Sequence, residues 1–196
     1  MAINKQAPGA TPLDPDEAND LIPSHITTKE QLNEWEAENI LEGERWAHSR
    51  KKKGVLEEKF VRDLHKHMFG KTWKWAGKFR KTEKNIGVAP EQIAVRLRNL
   101  LEDTRTQIEQ EVEPLVGIAV KFHHHLVSIH PFPNGNGRHA RLMTDLLLTE
   151  NGSVPFTWGK GDLVHAGKVR DRYLEALREA DRGNYDLLLG FVRSGK

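Results

Sequence analysis

The residues best suited to chemistry in this chain are the dozen His130-Pro131-Phe132-Pro133-Asn134-Gly135-Asn136-Gly137-Arg138-His139-Ala140-Arg141. Gly135 and Gly137 lack side chains, so the backbone can turn sharply there and aim several N–H groups at a bound anion. A helix starting at this turn adds its own unpaired N–H groups and the positive end of its dipole. Arg138 and Arg141 stand three positions apart, which puts both guanidinium forks on roughly one face; two forks suit a polyphosphate better than a single phosphate. His130, just before the turn, supplies an imidazole beside that anion, a general base for a hydroxyl that attacks phosphorus. Phe132, between Pro131 and Pro133, offers nothing to a charge and reads as the anchor of a stiffened loop.

Other suggestive residues read more plainly. His123, His124 and His125 point in three directions on a helix and none has a histidine four residues away, so they read as packed or solvated side chains, not as a metal site. His139 can pack or reach toward a ribose or phosphate. Lys71, Lys74, Lys78, Arg80, Lys81 and Lys84, interleaved with Trp73, Trp75 and Phe79, superficially fit nucleic-acid binding. Beside an anion loop they read instead as the lining of a cleft, with Trp73 and Trp75 in the core; no direct nucleic-acid contact is expected. The run Arg50 to Lys53 reads as a solvated helix end.

The surrounding pattern is helical. Pro8, Pro12, Pro15 and Pro23 oppose regular structure in the first 24 residues, which read as an irregular arm. Thr28 or Thr27 then caps a helix reaching about Ser49. Leu56, Phe60, Leu64 and Met68 form the stripe of a second helix stopped by Gly70. Between Lys71 and Pro90, aromatic and β-favouring residues broken by Gly77 and Gly87 predict a loop with a short hairpin. Ile93 to Leu101 support a further helix, and Leu115, Ile118, Ala119, Phe122, Leu126 and Ile129 mark a buried one that ends at His130-Pro131. Another follows from Gly137 to a Glu150-Asn151-Gly152 stop, and two more cover Val164 to Ala180 and Tyr185 to Val192. The expected class is all-α with a minor hairpin.

Composition fits one soluble domain with an extension: 196 residues, 37% hydrophobic and 30% charged. The absence of cysteine excludes disulfides, thiolate metal sites and cysteine nucleophiles, and suits a reducing compartment. No apolar run approaches membrane length and the start lacks a signal-peptide pattern, so a cytoplasmic protein with no membrane partner is expected. Charge is uneven: residues 1–44 hold ten acids and two bases, whereas residues 45–196 hold eighteen acids and twenty-eight bases. An acidic arm lying on a basic core, or a core that handles a nucleotide, is one reading; two solvated faces is the other.

The dozen resembles the signature of the Fic (filamentation) domain family, His-Pro-Phe-x-Asp/Glu-Gly-Asn-Gly-Arg-x-x-Arg, at eleven of twelve positions counting the free ones. Leu64-His65-Lys66, Trp73-Lys74-Trp75-Ala76-Gly77 with Arg80, and Asn85-Ile86-Gly87-Val88 are similar to the family's neighbouring segments. Leu32 to Glu36 and the Pro133-Asn134 variant resemble the subgroup called mobile mystery protein B, whose genes tend to lie beside a helix-turn-helix partner. The resemblance implies a Fic-type helical bundle with a short β-hairpin flap: an arm at 1–27, a possible regulatory helix at 28–49 and a catalytic domain at 50–196. It implies a protein adenylyltransferase that moves AMP from ATP to a Ser, Thr or Tyr hydroxyl of a target protein. His130 would be the base, with Gly135, Asn136 and Gly137 the cradle, Arg138 on the α/β-phosphates and Arg141 on the γ-phosphate. Lys84, Asn85, Ile86, Gly87 and Val88 would dock the target as an added strand. Asn134 stands where the family usually has a magnesium-binding acid; a neutral amide weakens, without removing, the expectation of Mg²⁺ with ATP.

Many family members carry an inhibitory helix with a Ser/Thr-x-x-x-Glu-Gly/Asn motif whose glutamate pairs with the second arginine of the signature. The nearest matches here, ending at Glu38-Asn39 and Glu42-Gly43, have Glu where Ser or Thr is expected. Glu38 and Glu42 are therefore the candidate inhibitory residues, against a plainer reading in which Trp35 and Ile40 pack this helix and its acids are solvated. Transfer of UMP, phosphate or phosphocholine by the same fold, and a non-catalytic toxin-like module bound to a helix-turn-helix protein, are the alternatives.

Overall fold

The computed structural model describes residues 14–50 and 54–195. The first thirteen residues of the arm and Lys51 to Lys53 of the basic run lie outside them. Eight α-helices are present among the described residues: α1 Pro15–Ala18, α2 Lys29–Ser49, α3 Glu58–Phe69, α4 Ile93–Glu109, α5 Leu115–Ile129, α6 Asn136–Glu150, α7 Lys168–Asp181 and α8 Asp186–Arg193. Short 3-10 turns occur at Pro90–Gln92 and Trp158–Lys160. The helix expected from Val164 starts later, at Lys168, behind the glycine-containing 161–167 loop.

Local chemistry explains the helix that matters most outside the signature. Thr28 caps α2 by accepting from Gln31 N–H, and Gln31 Oε1 returns the bond to Thr28 N–H at 3.1 Å, a complete capping box. Its buried residues, Leu32, Glu36, Asn39, Gly43 and Ala47, recur at four-, three-, four- and four-residue steps and face α3. Gly43 permits a close approach, because a Cβ there would sit 2.7 Å from Met68 Cγ and 2.9 Å from Met68 N. Glu36 is the charged residue of this stripe, a carboxylate only 5% exposed.

Two apolar clusters divide the molecule. The larger gathers Leu32, Phe60, Leu64, Met68, Phe69, Trp73, Leu97, Phe122, Leu126, Phe132 and Met143 from α2 to α6. The smaller joins Val120 to Leu163, Tyr173, Ala176, Leu188, Phe191 and Val192, and seats α7 and α8 on α5. Trp73 and Trp75 are stacked in the larger core, as expected, with ring centroids 5.1 Å apart.

The arm does lie on the basic part of the chain. Ile22 N–H donates to the Thr72 carbonyl at 2.8 Å, Lys74 N–H to the Asp20 carbonyl at 3.1 Å, and Lys84 Nζ reaches Asp14 at 2.8 Å and Glu17 at 2.5 Å. The expected hairpin is absent: among the described residues the β pairing is one isolated antiparallel bridge between Leu21 and Trp73, and residues 81–89 are irregular. Arg80 explains the difference. Its guanidinium takes the carbonyls of Thr82 and Val88, two acceptors that a hairpin ladder across this segment would draw on.

Candidate active site

The signature forms the loop between α5 and α6. α5 ends at His130, whose φ of 53° and ψ of 60° are left-handed, a conformation rare for a residue with a Cβ though less so for histidine. Three contacts hold it: His130 N–H donates to the Leu126 carbonyl at 3.3 Å, the His130 carbonyl accepts from Arg80 Nε at 2.7 Å, and the Pro131 carbonyl accepts from Arg80 N–H at 2.9 Å. Burial, with Arg80 and Lys84 adding positive charge nearby, lowers the His130 pKa to about 4. The imidazole is therefore neutral at physiological pH, with a lone pair to accept a proton.

Gly87 lies against this histidine with φ of +109°; a Cβ there would come within 2.8 Å of His130 Cβ and 2.6 Å of Arg80 Nη2. Asn85, Ile86 and Gly87 are exposed, whereas Val88 packs on the larger core and the Lys84 side chain is 2% exposed in its ion pairs. Lys84 is thus committed to the arm.

Beyond His130 the loop is braced from inside. Asn136 Oδ1 accepts from Phe132 N–H at 2.9 Å and Asn136 Nδ2 donates to the Phe132 carbonyl at 2.7 Å, so its side chain ties the turn together. Gly135 caps α6 with φ of +79°, where a Cβ would strike the Phe69 ring at 2.6 Å. His65, wholly buried, is a residue the sequence reading did not single out: it accepts from Gly77 N–H at Nδ1 (3.0 Å), donates from Nε2 to the Asn134 carbonyl (3.0 Å), and stacks on Phe132 at 3.7 Å. Burial pushes its pKa well down, which preserves this neutral tautomer. A polar residue inside the apolar stripe of α3 was the available signal. His139 donates from Nε2 to the Val61 carbonyl at 2.9 Å and is fully buried, so it supports the loop from behind.

The two arginines part. Arg138 lies 4.9 Å from the Phe69 ring centroid, and its Nη1 meets Glu36 Oε2 at 2.6 Å. Glu36 Oε1 accepts from Trp73 Nε1 at 2.7 Å. Arg141 turns to α7 instead, 5.8 Å from the Tyr173 ring centroid, with Nη1 3.7 Å from where a Gly137 Cβ would sit. Neither expected inhibitory residue reaches Arg141: Glu38 is exposed, and Glu42 pairs with Lys71 at 2.6 Å. The register of α2 decides this, since Glu36 belongs to its buried stripe and Glu38 and Glu42 do not.

Asn134 is a poor metal ligand as placed. Its Oδ1 accepts from Gly135 N–H at 2.7 Å and lies 3.5 Å from Arg138 Nη2, and no group of three or more His, Asp or Glu among the described residues could hold a metal ion. The side chains of the described residues do not by themselves constitute a magnesium site.

Residues 55–148 match the Fic/DOC family model, and the match spans His130, the loop and both arginines. Over this segment the chain is similar to the Fic/DOC family. This chain is 31% identical over 122 residues to the protein adenylyltransferase fic-1 of Caenorhabditis briggsae, covering 60% of this chain and 22% of the relative. The chain thus spans about a fifth of the length of that curated relative. Among solved structures, the N-terminal Fic domain of a Bartonella quintana effector with bound ADP superposes with a TM-score of 0.70 at 18% identity, covering 90% of this chain and 94% of that one. BepC of Bartonella tribocorum with bound AMPPNP gives 0.68 at 19%, covering 92% and 97%. The Fic fold is all-α here too, and no helix among the described residues is long and apolar enough to cross a membrane.

Proposed function

We propose that this chain is a protein adenylyltransferase, with ATP as AMP donor and a target-protein hydroxyl as acceptor. The observation that carries this reading is a neutral imidazole, His130, at the mouth of a glycine cradle backed by two guanidinium groups. His130 removes the proton as the hydroxyl oxygen attacks the α-phosphorus, and pyrophosphate leaves with the electrons of the α–β bridging bond. Gly135, Asn136 and Gly137 present backbone N–H groups, Arg138 serves the α/β-phosphates and Arg141 the γ-phosphate. Mg²⁺ arrives as the salt of the nucleotide, whose phosphates supply several of its ligands, and Asn134 contributes at most one neutral oxygen. The exposed Asn85-Ile86-Gly87 tip beside His130 receives the target backbone. A cytoplasmic setting and a helix-turn-helix regulator complete the proposal.

Incubation with labelled ATP tests it. His130→Ala is expected to lower transfer by about two to four orders of magnitude while ATP binding stays unchanged, since a general base acts in the transition state. Undiminished transfer by the variant defeats the assignment. Labelled UTP and CDP-choline in parallel separate AMP transfer from the family's other chemistries.

A further inference from the structure

The environment of Arg141 contains more positive charge than the signature accounts for. Arg141 is hydrogen-bonded to the Tyr173 hydroxyl, and the geometry of that hydroxyl is fixed from the other side by His123 Nε2 at 2.9 Å. His123 is wholly buried with its pKa lowered to about 3 and donates to the Ala140 carbonyl, so its Nε2 is an acceptor and Tyr173 donates to it. The hydroxyl oxygen is then left to accept from Arg141, which aims the fork. One turn before Tyr173, on the same face of α7, stands Arg170. Its Nη1 donates to the Leu163 carbonyl at 2.5 Å, and its buried Nε–H has no hydrogen-bond partner. The positive charge of Arg170 acts on both Tyr173 and Arg141 and opposes the charged state of Arg141.

No carboxylate of the described residues lies within ion-pair distance of Arg141 or Arg170, in contrast to Arg138. Asp145, one turn beyond Arg141, directs Oδ1 to Phe156 N–H at 3.0 Å and Oδ2 to Trp158 Nε1 at 2.9 Å. Two neighbouring guanidinium groups with no carboxylate paired to either are a costly arrangement that an anion would relieve. Along the chain from His130 the cradle comes first, then Arg138, then Arg141, whose surroundings Arg170 joins from α7. We propose that Arg141 and Arg170 form a subsite for the terminal phosphate of a nucleoside triphosphate, so that Arg170, beyond the matched family segment, lets the chain distinguish triphosphate from diphosphate. This rests on the nucleotide reading above and adds to it a second source of specificity, on α7.

Binding of ATP, ADP and inorganic tripolyphosphate to the full chain, measured by calorimetry, tests the subsite in wild type, Arg170→Gln and Arg170→Lys. Arg170→Gln is expected to weaken ATP and tripolyphosphate by roughly tenfold and to leave ADP within about twofold, with Arg170→Lys in between, because lysine keeps the charge but not the fork. Unchanged ATP affinity in a folded Arg170→Gln protein, or equal loss for ADP and ATP, overturns the subsite and leaves the nucleotide reading standing. Wild-type binding of tripolyphosphate but of neither nucleotide overturns both the nucleotide subsite and the adenylyltransferase reading, and leaves a site for inorganic polyphosphate only. No binding of any probe removes both. Should Arg170→Gln melt early, the ATP-to-ADP ratio in Arg170→Lys decides alone, a ratio equal to wild type counting against the subsite.

Discussion

Arg138 and Arg141 are three residues apart on one helix, yet their surroundings are opposites. Arg138 reaches across to α2 and is met by a buried carboxylate; Arg141 reaches to α7 and is met by a phenol hydroxyl and a second guanidinium. The first arginine is already neutralised, so a phosphate must compete for it with Glu36. The second is aimed but not neutralised, so a phosphate meets it ready. Two forks that are alike in sequence thus offer an anion different free energies, because one neighbouring helix contributes an acid and the other an aromatic face.

The largest effect that could break this contrast comes from alanine at each arginine. Arg141→Ala is expected to lower kcat/KM for transfer by about 100-fold or more, in the range found for removing one preorganised donor to developing charge, and Arg138→Ala by less. Equal losses would show that the Glu36 pair does not burden Arg138. A smaller effect is expected from Glu36→Gln, which keeps an acceptor for Trp73 Nε1 but removes the charge facing Arg138. ATP affinity by calorimetry should rise about threefold to tenfold, while Glu38→Gly and Glu42→Gly, whose side chains lie elsewhere, should match wild type. Glu36→Ala instead leaves a buried indole N–H unmade, at about 1–3 kcal/mol, and should lower the melting temperature.

Asn134→Asp sharpens the Arg138 side, since it adds an acid 3.5 Å from that fork where the protein now offers only an amide. The magnesium concentration for half-maximal activity should fall by a few-fold; no change would show that residue 134 does not touch the ion. Acid stability compares the supports behind the two arginines. His65, His123, His130 and His139 all have folded pKa values below 6.5, so between about 6.5 and about 4 the unfolded chain binds more protons and stability is lost as pH falls. Asp145, raised to about 6, works the other way over part of that window, one group against these four and His67 and His125, which burial also lowers. Thermal melting from pH 7 to pH 4.5 should show a fall of several degrees, reduced in His65→Asn.

Where periodicity and end signals were local, the sequence was legible. Thr28 with Gln31, Gly70, and the apolar runs of α5 and α6 located their helices because capping and 3.6-residue burial depend on near neighbours alone. The hairpin failed as an expectation because its register was decided from outside, by a guanidinium that took the carbonyls at 82 and 88 and tied that segment to His130. The inhibitory candidates at 38 and 42 failed as partners of Arg141 because a motif fixes spacing along a helix but not which face that helix turns inward.

The order of residues by itself determined the candidate base, the glycine turn and the arginine pair, all contained within twelve consecutive positions whose chemistry follows from residue type. Only the tertiary structure decided what each group faces: that His130 is held left-handed and neutral, that His65 grips the loop, and that Glu36 occupies Arg138. It also brought Arg170 into the surroundings of Arg141. These partners lie between 29 and 102 positions away in the chain, and burial, which sets their pKa values and charge balance, exists only once α2, α3 and α7 have packed around the loop.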